Sequence, residues 1–247
     1  MPTPRNVQRD EANWLLTALP DHAYARVANH LEPVKLAIHD TIFEPDASID
    51  YAYFPQAGCL SMITVMQDGS GVEVGTIGRE GMSGISLLHG IEFVPIRCIV
   101  QIDGAARRMA RASFVEMLRQ SAELLGIMQR YAEVWTNQVA QSGSCNAVHS
   151  VDKRCARWLL MTQDRLDSDV LPLTQEFLSI MLGVRRASVT LAAGSLQDAG
   201  LIRYTRGQVT VLDRVGLEAA TCECYHAMRS TYERLLPRLT PRAARAS

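Results

Sequence analysis

The sequence lacks any apolar run approaching the roughly 20 residues that a bilayer-spanning helix needs. Its first segment, MPTPRNVQRDEANW, mixes polar, acidic and basic residues and has no apolar core of the kind a signal peptide carries. We therefore expect a cytoplasmic protein that makes no contact with a membrane.

Closely spaced cysteine pairs are almost absent, which argues against the disulfide framework of a small secreted domain. The sequence predicts free thiols for all six cysteines, which are Cys59, Cys98, Cys145, Cys155, Cys222 and Cys224. The segment CECYH (222–226) comes closest to a metal motif. On a continuous helix Cys222 and His226 share a face while Cys224 points elsewhere, so three ligands do not converge. We therefore predict no metal site.

Catalytic signatures are missing as well. The stretch GMSGIS places Ser83 and Ser86 among glycines, but it is not the G-x-S-x-G turn that exposes a nucleophilic serine. GREGMSG lacks the Gly-Lys-Ser/Thr that closes a phosphate-binding loop. We expect no enzymatic activity.

Neither sign of charge is in large excess, because 25 basic and 26 acidic residues leave a net charge of −1. The balance nevertheless changes along the chain. Residues 1–149 hold 11 Lys and Arg against 16 Asp and Glu, whereas residues 150–247 hold 14 against 10. The C-terminal part is therefore the one suited to approach a polyanion.

Residues 33–110 have the pattern of short strands separated by glycine turns. The β-leaning runs are LSMITVM (60–66), VEVGTI (72–77) and IRCIVQI (96–102), and QDGSG joins the first two as a hairpin would. Such a pattern predicts a β-sandwich or barrel. A short helix around Asp10–Leu19 is expected to pack on it.

A helical period follows from Ser113, which has capping-box spacing to Glu116. Two adjacent apolar stripes run along this helix. One consists of Leu125, Met128, Ala132, Trp135, Val139 and Ser142, and the other of Leu124, Ile127, Tyr131 and Val134. Such a helix can pack on its own domain and on a partner at once, so we predict dimerisation through residues 113–148. Burial of both stripes within one monomer is the alternative.

The stretch TQEFLSIMLGVRRASVTLAAGSLQDAGLI (174–202) predicts two short helices around a turn at Gly183. Thr174 is placed to cap the first helix, and Val189, Ala193 and Leu196 are spaced for burial in the second. The opposite face of the second helix holds no acid; it consists of Arg186, Ala187, Thr190, Leu191 and Gly194. Phosphates repel acids, arginine pairs with guanine and apolar groups meet thymine methyls, so this composition suits a DNA major groove.

The next segment, LIRYTRGQVTVL, predicts two strands around an Arg-Gly turn, with Arg203 and Arg206 near the tip. Together with the two helices, this hairpin predicts a winged helix-turn-helix, in which the wing contacts a neighbouring phosphate. The candidate DNA-binding residues are Thr174, Gln175, Arg185, Arg186, Ser188, Thr190, Arg203 and Arg206. A helix-turn-helix without DNA binding is the alternative reading of the two helices alone.

The whole arrangement resembles the Crp/Fnr-type transcription regulators, most strongly over LTQEFLSIMLGVRRASVTLAAGSLQDAGLI. The resemblance implies an α+β chain with three parts. These are a jelly-roll-like, cyclic-nucleotide-binding-like β-roll (1–112), a dimerisation helix (113–148) and a winged helix-turn-helix (149–236). The sequence of the tail (237–247) predicts disorder. The resemblance also implies a homodimer, double-stranded DNA as a partner, and RNA polymerase as a further one.

The resemblance carries over unevenly to individual residues. Arg186 falls where the family places an arginine that reads guanine, whereas Ala187 falls where many members carry a base-reading glutamate. Leu191 falls where some members carry another arginine, so the operator is expected to differ from that of the best-known members.

The effector region departs further from the members that bind cyclic AMP. Ile85 or Ser86 stands where the ribose-binding glutamate belongs, and Cys98 stands in place of the phosphate-binding serine after Arg97. Gly84 and Arg97 are the remaining weak candidates for ligand contacts. We predict no cofactor and, at most, a small-molecule effector other than cyclic AMP.

Family members that bind an iron–sulfur cluster carry closely spaced cysteines near the N-terminus. The first cysteine of this sequence is Cys59, which argues against such a cluster. Haem binding remains an alternative only because four isolated histidines are candidate ligands, which are His22, His30, His39 and His89. The sequence thus predicts a DNA-binding transcription regulator. The alternative is a regulator that acts mainly through protein partners, with a vestigial DNA-binding domain.

Overall fold

A computed structural model describes residues 12–166 and 168–236 of the chain. The start of the helix predicted around Asp10 and the tail 237–247 therefore lie outside the described residues. Within them, two short helices, α1 (Trp14–Thr17) and α2 (Asp21–Ala28), precede the first strand. The second of these helices was not predicted.

The N-terminal domain is built on a five-stranded antiparallel sheet. Its strands are β1 (Glu32–Leu36), β2 (Thr41–Phe43), β3 (Tyr51–Val65), β4 (Gly71–Ile77) and β5 (Arg97–Ala110). The strand order is β1-β5-β3-β4, and β2 also pairs with β5. The predicted hairpin between β3 and β4 is confirmed, since Val65 pairs with Gly71.

Bulges curve the two long strands of this sheet into a roll. The β3–β5 register shifts three times between Pro55 and Leu60, where extra residues increase the local bend. Gly58 has φ +81°, and a Cβ atom on Gly104 would lie 2.2 Å from the carbonyl oxygen of Ala57. Only glycine permits this close approach of the two backbones at the bend.

The predicted single helix from Ser113 is wrong, because the chain breaks at Ser121. A 3-10 helix (Ile85–His89) lies before β5, and α3 (Arg111–Gln120) follows that strand; the long helix α4 (Ala122–Val148) starts only after Ser121. Ser121 has an extended backbone, and its Oγ accepts the Leu124 N–H at 3.2 Å. The capping serine of the long helix is therefore Ser121.

The C-terminal part forms a three-stranded sheet with five helices. Its elements are α5 (Val151–Leu166), β6 (Val170–Leu171), α6 (Gln175–Leu182), α7 (Arg186–Asp198), β7 (Ile202–Thr205), β8 (Gln208–Val211), α8 (Arg214–Ala220) and α9 (Cys224–Leu235). The strand order is β6-β8-β7, all antiparallel.

The continuous helix expected across CECYH (222–226) is also interrupted. Between α8 and α9, Thr221 has an extended backbone (φ −77°, ψ 176°), and its hydroxyl donates to the Lys153 carbonyl at 3.3 Å. This contact with α5 turns the chain, so that α9 packs along α4 and the Tyr232 hydroxyl reaches the Glu80 carbonyl. The last helix thus joins the two domains.

Two buried polar contacts also link the domains. The Trp158 indole on α5 donates to the Glu73 carboxylate on β4 at 2.7 Å, and Ser61 on β3 donates to the other oxygen of Glu73 at 2.5 Å. Further along α5, Arg165 forms an ion pair of 2.8 Å with Glu80, which follows β4. These contacts fix α5 on the β-roll.

Candidate DNA-binding surface

The predicted helix-turn-helix is formed by α6 and α7, whose axes change direction by 104° across the turn. Thr174 caps α6, because its Oγ accepts the Phe177 N–H at 3.1 Å. Gly183 ends α6 in the left-handed conformation (φ +60°), and the Val184 N–H then donates to the Ser179 carbonyl. This angle lies within the range typical of helix-turn-helix motifs.

The buried face of α7 is the predicted one. Val189, Ala193 and Leu196 are buried against the C-terminal core, together with Ala192. On the opposite face Arg186, Ala187 and Thr190 are exposed, and Leu191 keeps 76% of its surface accessible. The acid-free face is therefore open to a partner along its length.

Four arginines surround this face with unpaired guanidinium groups. Arg185 occupies the N-cap position of α7, and Arg186 is the first residue of the helix. Arg203 and Arg206 are exposed on the following hairpin. Among residues 12–166 and 168–236, none of these four guanidinium groups makes a hydrogen bond or an ion pair. Their charge is available to an external anion.

The polar candidate residues on α6 and α7 differ in whether their side chains already form hydrogen bonds within the chain. The Thr190 hydroxyl donates to Gln175 Oε1 at 3.2 Å and lies 3.1 Å from the Arg186 carbonyl, so Gln175 and Thr190 tie α6 to α7. Thr174 is engaged in its cap, and Ser188 is half-buried. All four lie at the predicted surface, and their contacts with DNA stay predictions.

The wing is present as predicted, with β7 and β8 joined by Arg206 and Gly207. Both residues have positive φ (35° and 80°), which is typical of the tight turns that connect twisted strands. The Tyr204 hydroxyl on β7 donates to the Leu173 carbonyl, which holds the hairpin beside the start of α6. The short third strand β6 was missed, because two residues carry too little pattern to be recognised.

The candidate effector residues lie in different surroundings. Arg97 forms an ion pair of 2.7 Å with Glu44 on the surface, whereas Gly84 is buried beside the backbone of Tyr51 and Ala52. Near Gly84, the hydroxyl groups of Ser83 and Ser86 are buried and have no hydrogen-bond partner in the described part of the chain. The same holds for both amide atoms of Gln101.

The structure corrects the interpretation of CECYH. Because the chain is not helical across Thr221–Glu223, Cys222 and Cys224 lie together, and His226 is exposed outside the group. The residues that join the two cysteines are Cys145 and His149, from the C-terminal end of α4. The signal for them was the Cys-x-x-x-His spacing, which places two ligands one helical turn apart.

No single helix within the described ranges is long and apolar enough to cross a membrane; the bent pair of α6 and α7 reaches that length and composition only when its two helices are taken together. Both helices pack on the C-terminal core in this structure.

Comparison with known proteins also indicates a helix-turn-helix domain in the C-terminal part of the chain. Residues 153–220 match the family model of the Crp-like helix-turn-helix domain. A search of curated protein sequences found no match. Solved structures do match, and among them is a transcriptional regulator assigned to the crp/fnr family from Eubacterium rectale. It has a TM-score of 0.65 and 19% identity, over 83% of this chain and 96% of that one.

Two further structures are similar over most of their length. FixK2 from Bradyrhizobium japonicum has a TM-score of 0.68 and 15% identity, over 78% of this chain and 98% of its own. The c-di-GMP-responsive global regulator CLP of Xanthomonas campestris has a TM-score of 0.64 and 15% identity, over 78% and 99%. The chain thus has the fold of the Crp/Fnr transcription regulators, with a Crp-like helix-turn-helix domain at 153–220. The predicted resemblance and fold class are confirmed.

Proposed function

We propose that the protein is a homodimeric transcription regulator that binds an inverted repeat in double-stranded DNA. Each α7 would enter the major groove of one half-site, and the half-site centres would lie about 34 Å apart. The observation that carries this proposal is the acid-free, exposed face of α7 with its unpaired arginines. The arginine side chains and Leu191 on this surface are exposed and contribute little to the core.

Within this surface the residues have different proposed roles. Arg186 is the reader of a guanine, because it begins the helix and its guanidinium can form two hydrogen bonds to one base edge. Leu191 and Ala187 are apolar and exposed, which suits contact with thymine methyl groups. Arg185, Arg203 and Arg206 supply affinity for phosphates.

The dimer is proposed from the two stripes of α4. Leu124, Ile127, Tyr131 and Val134 are all buried within the chain, so this stripe packs on its own domain. In the other stripe Met128 and Ser142 are buried within the chain as well, whereas Leu125, Ala132, Trp135 and Val139 are only partly buried. A partner α4 would cover that partly exposed stripe, as in a coiled coil.

An effector would act through the contacts between the domains. The buried hydroxyl groups of Ser83 and Ser86, which have no partner in the described residues, would suit a small polar ligand, because buried polar groups are normally hydrogen-bonded. A ligand that favours one arrangement of α4 and α5 on the β-roll would shift the population of dimers competent for DNA. We propose a ligand other than cyclic AMP, since this region lacks the ribose-binding carboxylate. The cytoplasmic location and a contact with RNA polymerase stay predictions.

Arg186→Ala is expected to cost about 1–3 kcal/mol of DNA-binding free energy per half-site and to relax specificity at one base position. The measurement is competitive binding of wild type and variant to a selected operator and to operators with single base changes. Arg206→Ala is the matched control, because it removes the same charge from the wing. It should weaken binding to all sequences about equally and reduce the salt dependence. The reverse pattern would show that the wing, and not α7, reads the bases.

A further inference from the structure

Three cysteines and a histidine meet where the long helix α4 ends. Cys145 lies in the last turn of α4 and His149 is its C-cap residue, whereas Cys222 precedes α9 and Cys224 is the first residue of that helix. Their four ligand atoms all lie within 4.8 Å of one another. The three cysteines are buried, and they form a cluster separate from the two apolar cores.

The distances fit the coordination sphere of a single metal ion. The sulfur atoms of Cys145 and Cys222 are 3.5 Å apart, and the Cys224 sulfur lies 3.5 Å from Nδ1 of His149. In a tetrahedral zinc site with Zn–S of about 2.3 Å and Zn–N of about 2.0–2.1 Å, neighbouring ligand atoms are about 3.6–3.8 Å apart. Small side-chain adjustments would therefore complete the tetrahedron. An iron–sulfur cluster would need ligands spread over several irons.

The neighbours of the four residues are those that metal ligands require. Nε2 of His149 lies 3.2 Å from the Glu223 carboxylate, which orients the ring so that Nδ1 faces the cysteines. The Gln141 amide donates to the Cys224 sulfur at 3.1 Å. A carboxylate behind a ligating histidine is the common outer partner in zinc sites.

Charge balance gives an independent argument. Arg157 is buried, its guanidinium contacts only the sulfur atoms of Met161 and Met228, and its Nε has no partner in the described residues. Arg154, on the same helix, is also buried and donates to the Asn146 side chain and to the Leu182 carbonyl, neither of which carries a charge. Three thiolates, one neutral imidazole and Zn²⁺ carry a net charge of −1, which would offset one of these two buried positive charges.

We propose that Cys145, His149, Cys222 and Cys224 bind one Zn²⁺ ion. Binding converts three thiols to thiolates and releases three protons while the imidazole stays neutral, so that charge is conserved. Because the protein supplies all four ligands, the site is structural and leaves no open position for catalysis. Two ligand pairs from sequence-distant segments are typical of such sites.

The position of the ion defines its effect on the fold. His149 lies between α4 and α5, where the long helix meets the C-terminal domain. The ion would join this junction to the start of α9, since Cys222 and Cys224 come from the segment that turns the chain there. It would thereby fix the orientation of the C-terminal domain on α4. The metal site itself does not depend on DNA binding.

The test uses the full-length protein, purified under reducing conditions, stripped with a chelator and titrated with Zn²⁺ or Co²⁺. One equivalent of zinc per chain is expected, together with the intense visible and near-ultraviolet bands of tetrahedral Co²⁺ bound to thiolates. Cys222→Ser and His149→Ala should abolish stoichiometric binding. Glu223→Gln should keep the site but lower the affinity about 10–100-fold, as for other outer partners.

Two controls separate loss of the site from loss of the fold. Cys155→Ala removes a buried cysteine of α5 outside the group and should still bind one equivalent. His149→Cys should retain a tetrahedral Co²⁺ spectrum with a stronger thiolate band. Absence of a stoichiometric cobalt spectrum in the wild type would overturn the proposal, and so would undiminished zinc binding in Cys222→Ser. A Cys145–Cys222 disulfide that persists after purification under reducing conditions would also overturn it.

Discussion

Arg165→Met is expected to lower the free energy of unfolding by about 3–5 kcal/mol, the largest effect among the substitutions considered. The Arg165 guanidinium is buried, and it donates to the Glu80 carboxylate at 2.8 Å and to the Met161 carbonyl at 2.6 Å. It also reaches the Thr76 carbonyl and the Gln138 amide. Without it, the Glu80 carboxylate stays buried with no countercharge, which costs more than the ion pair itself contributes.

The measurement is urea unfolding of the wild type, Arg165→Met, Glu80→Gln and the double variant. Because the two side chains are in contact, the two single losses should not add in the double variant, which should be more stable than Arg165→Met. A loss below about 1 kcal/mol in Arg165→Met, the range of exposed ion pairs, would show that this pair is solvated in solution.

Glu73 is expected to make the protein less stable as the pH rises from about 5 to 8. Burial raises the pKa of Glu73 from its ordinary 4.5 to about 7, although hydrogen bonds from Ser61 and Trp158 oppose the shift. Between these two values the folded protein holds a proton that the unfolded chain has released. Stability therefore falls through this range, and the full cost of about 3 kcal/mol is reached above pH 7.

The comparison that isolates this effect is wild type against Glu73→Gln. Glutamine keeps an acceptor for the Trp158 indole and has no charge to bury, so the variant should be more stable at pH 8 by up to about 3 kcal/mol and nearly equal at pH 4.5. Equal pH slopes of the unfolding free energy for both proteins would contradict this account of Glu73.

The helix-turn-helix was predictable because its signals are local. The cap at Thr174, the left-handed turn at Gly183 and the apolar spacing of α7 all depend on residues within one turn of each other. The Arg-Gly turn of the wing is equally local. The residues that form such motifs are close together in the sequence, so the motifs can be recognised from the sequence alone.

The interruption near Thr221 depends on a distant contact, unlike the local cap at Ser121. Thr221 turns the chain where its hydroxyl meets the Lys153 carbonyl, which lies 68 positions away. Because the chain turns at this point, the prediction that Cys222 and Cys224 lie on one continuous helix is wrong. Cys222 and Cys224 come close to Cys145 and His149 because α9 packs on α4. A single sequence does not reveal this packing.

The residues that form the buried polar contacts between the two domains were not predicted, for the same reason. Glu73, Glu80, Trp158 and Arg165 show no motif, since an acid in a strand and an arginine on a helix are common on surfaces. Only the packing of α5 on the β-roll buries them and gives them their partners.

The central claim is that α7 reads a DNA sequence as part of a dimer. The most direct test is selection from random double-stranded DNA with the purified wild type beside Arg186→Ala. We expect an enriched inverted repeat with half-sites about one helical turn apart, in which one position per half-site loses its preference in the variant. Salt-sensitive binding without enrichment of any sequence, or the same repeat from both proteins, would contradict it.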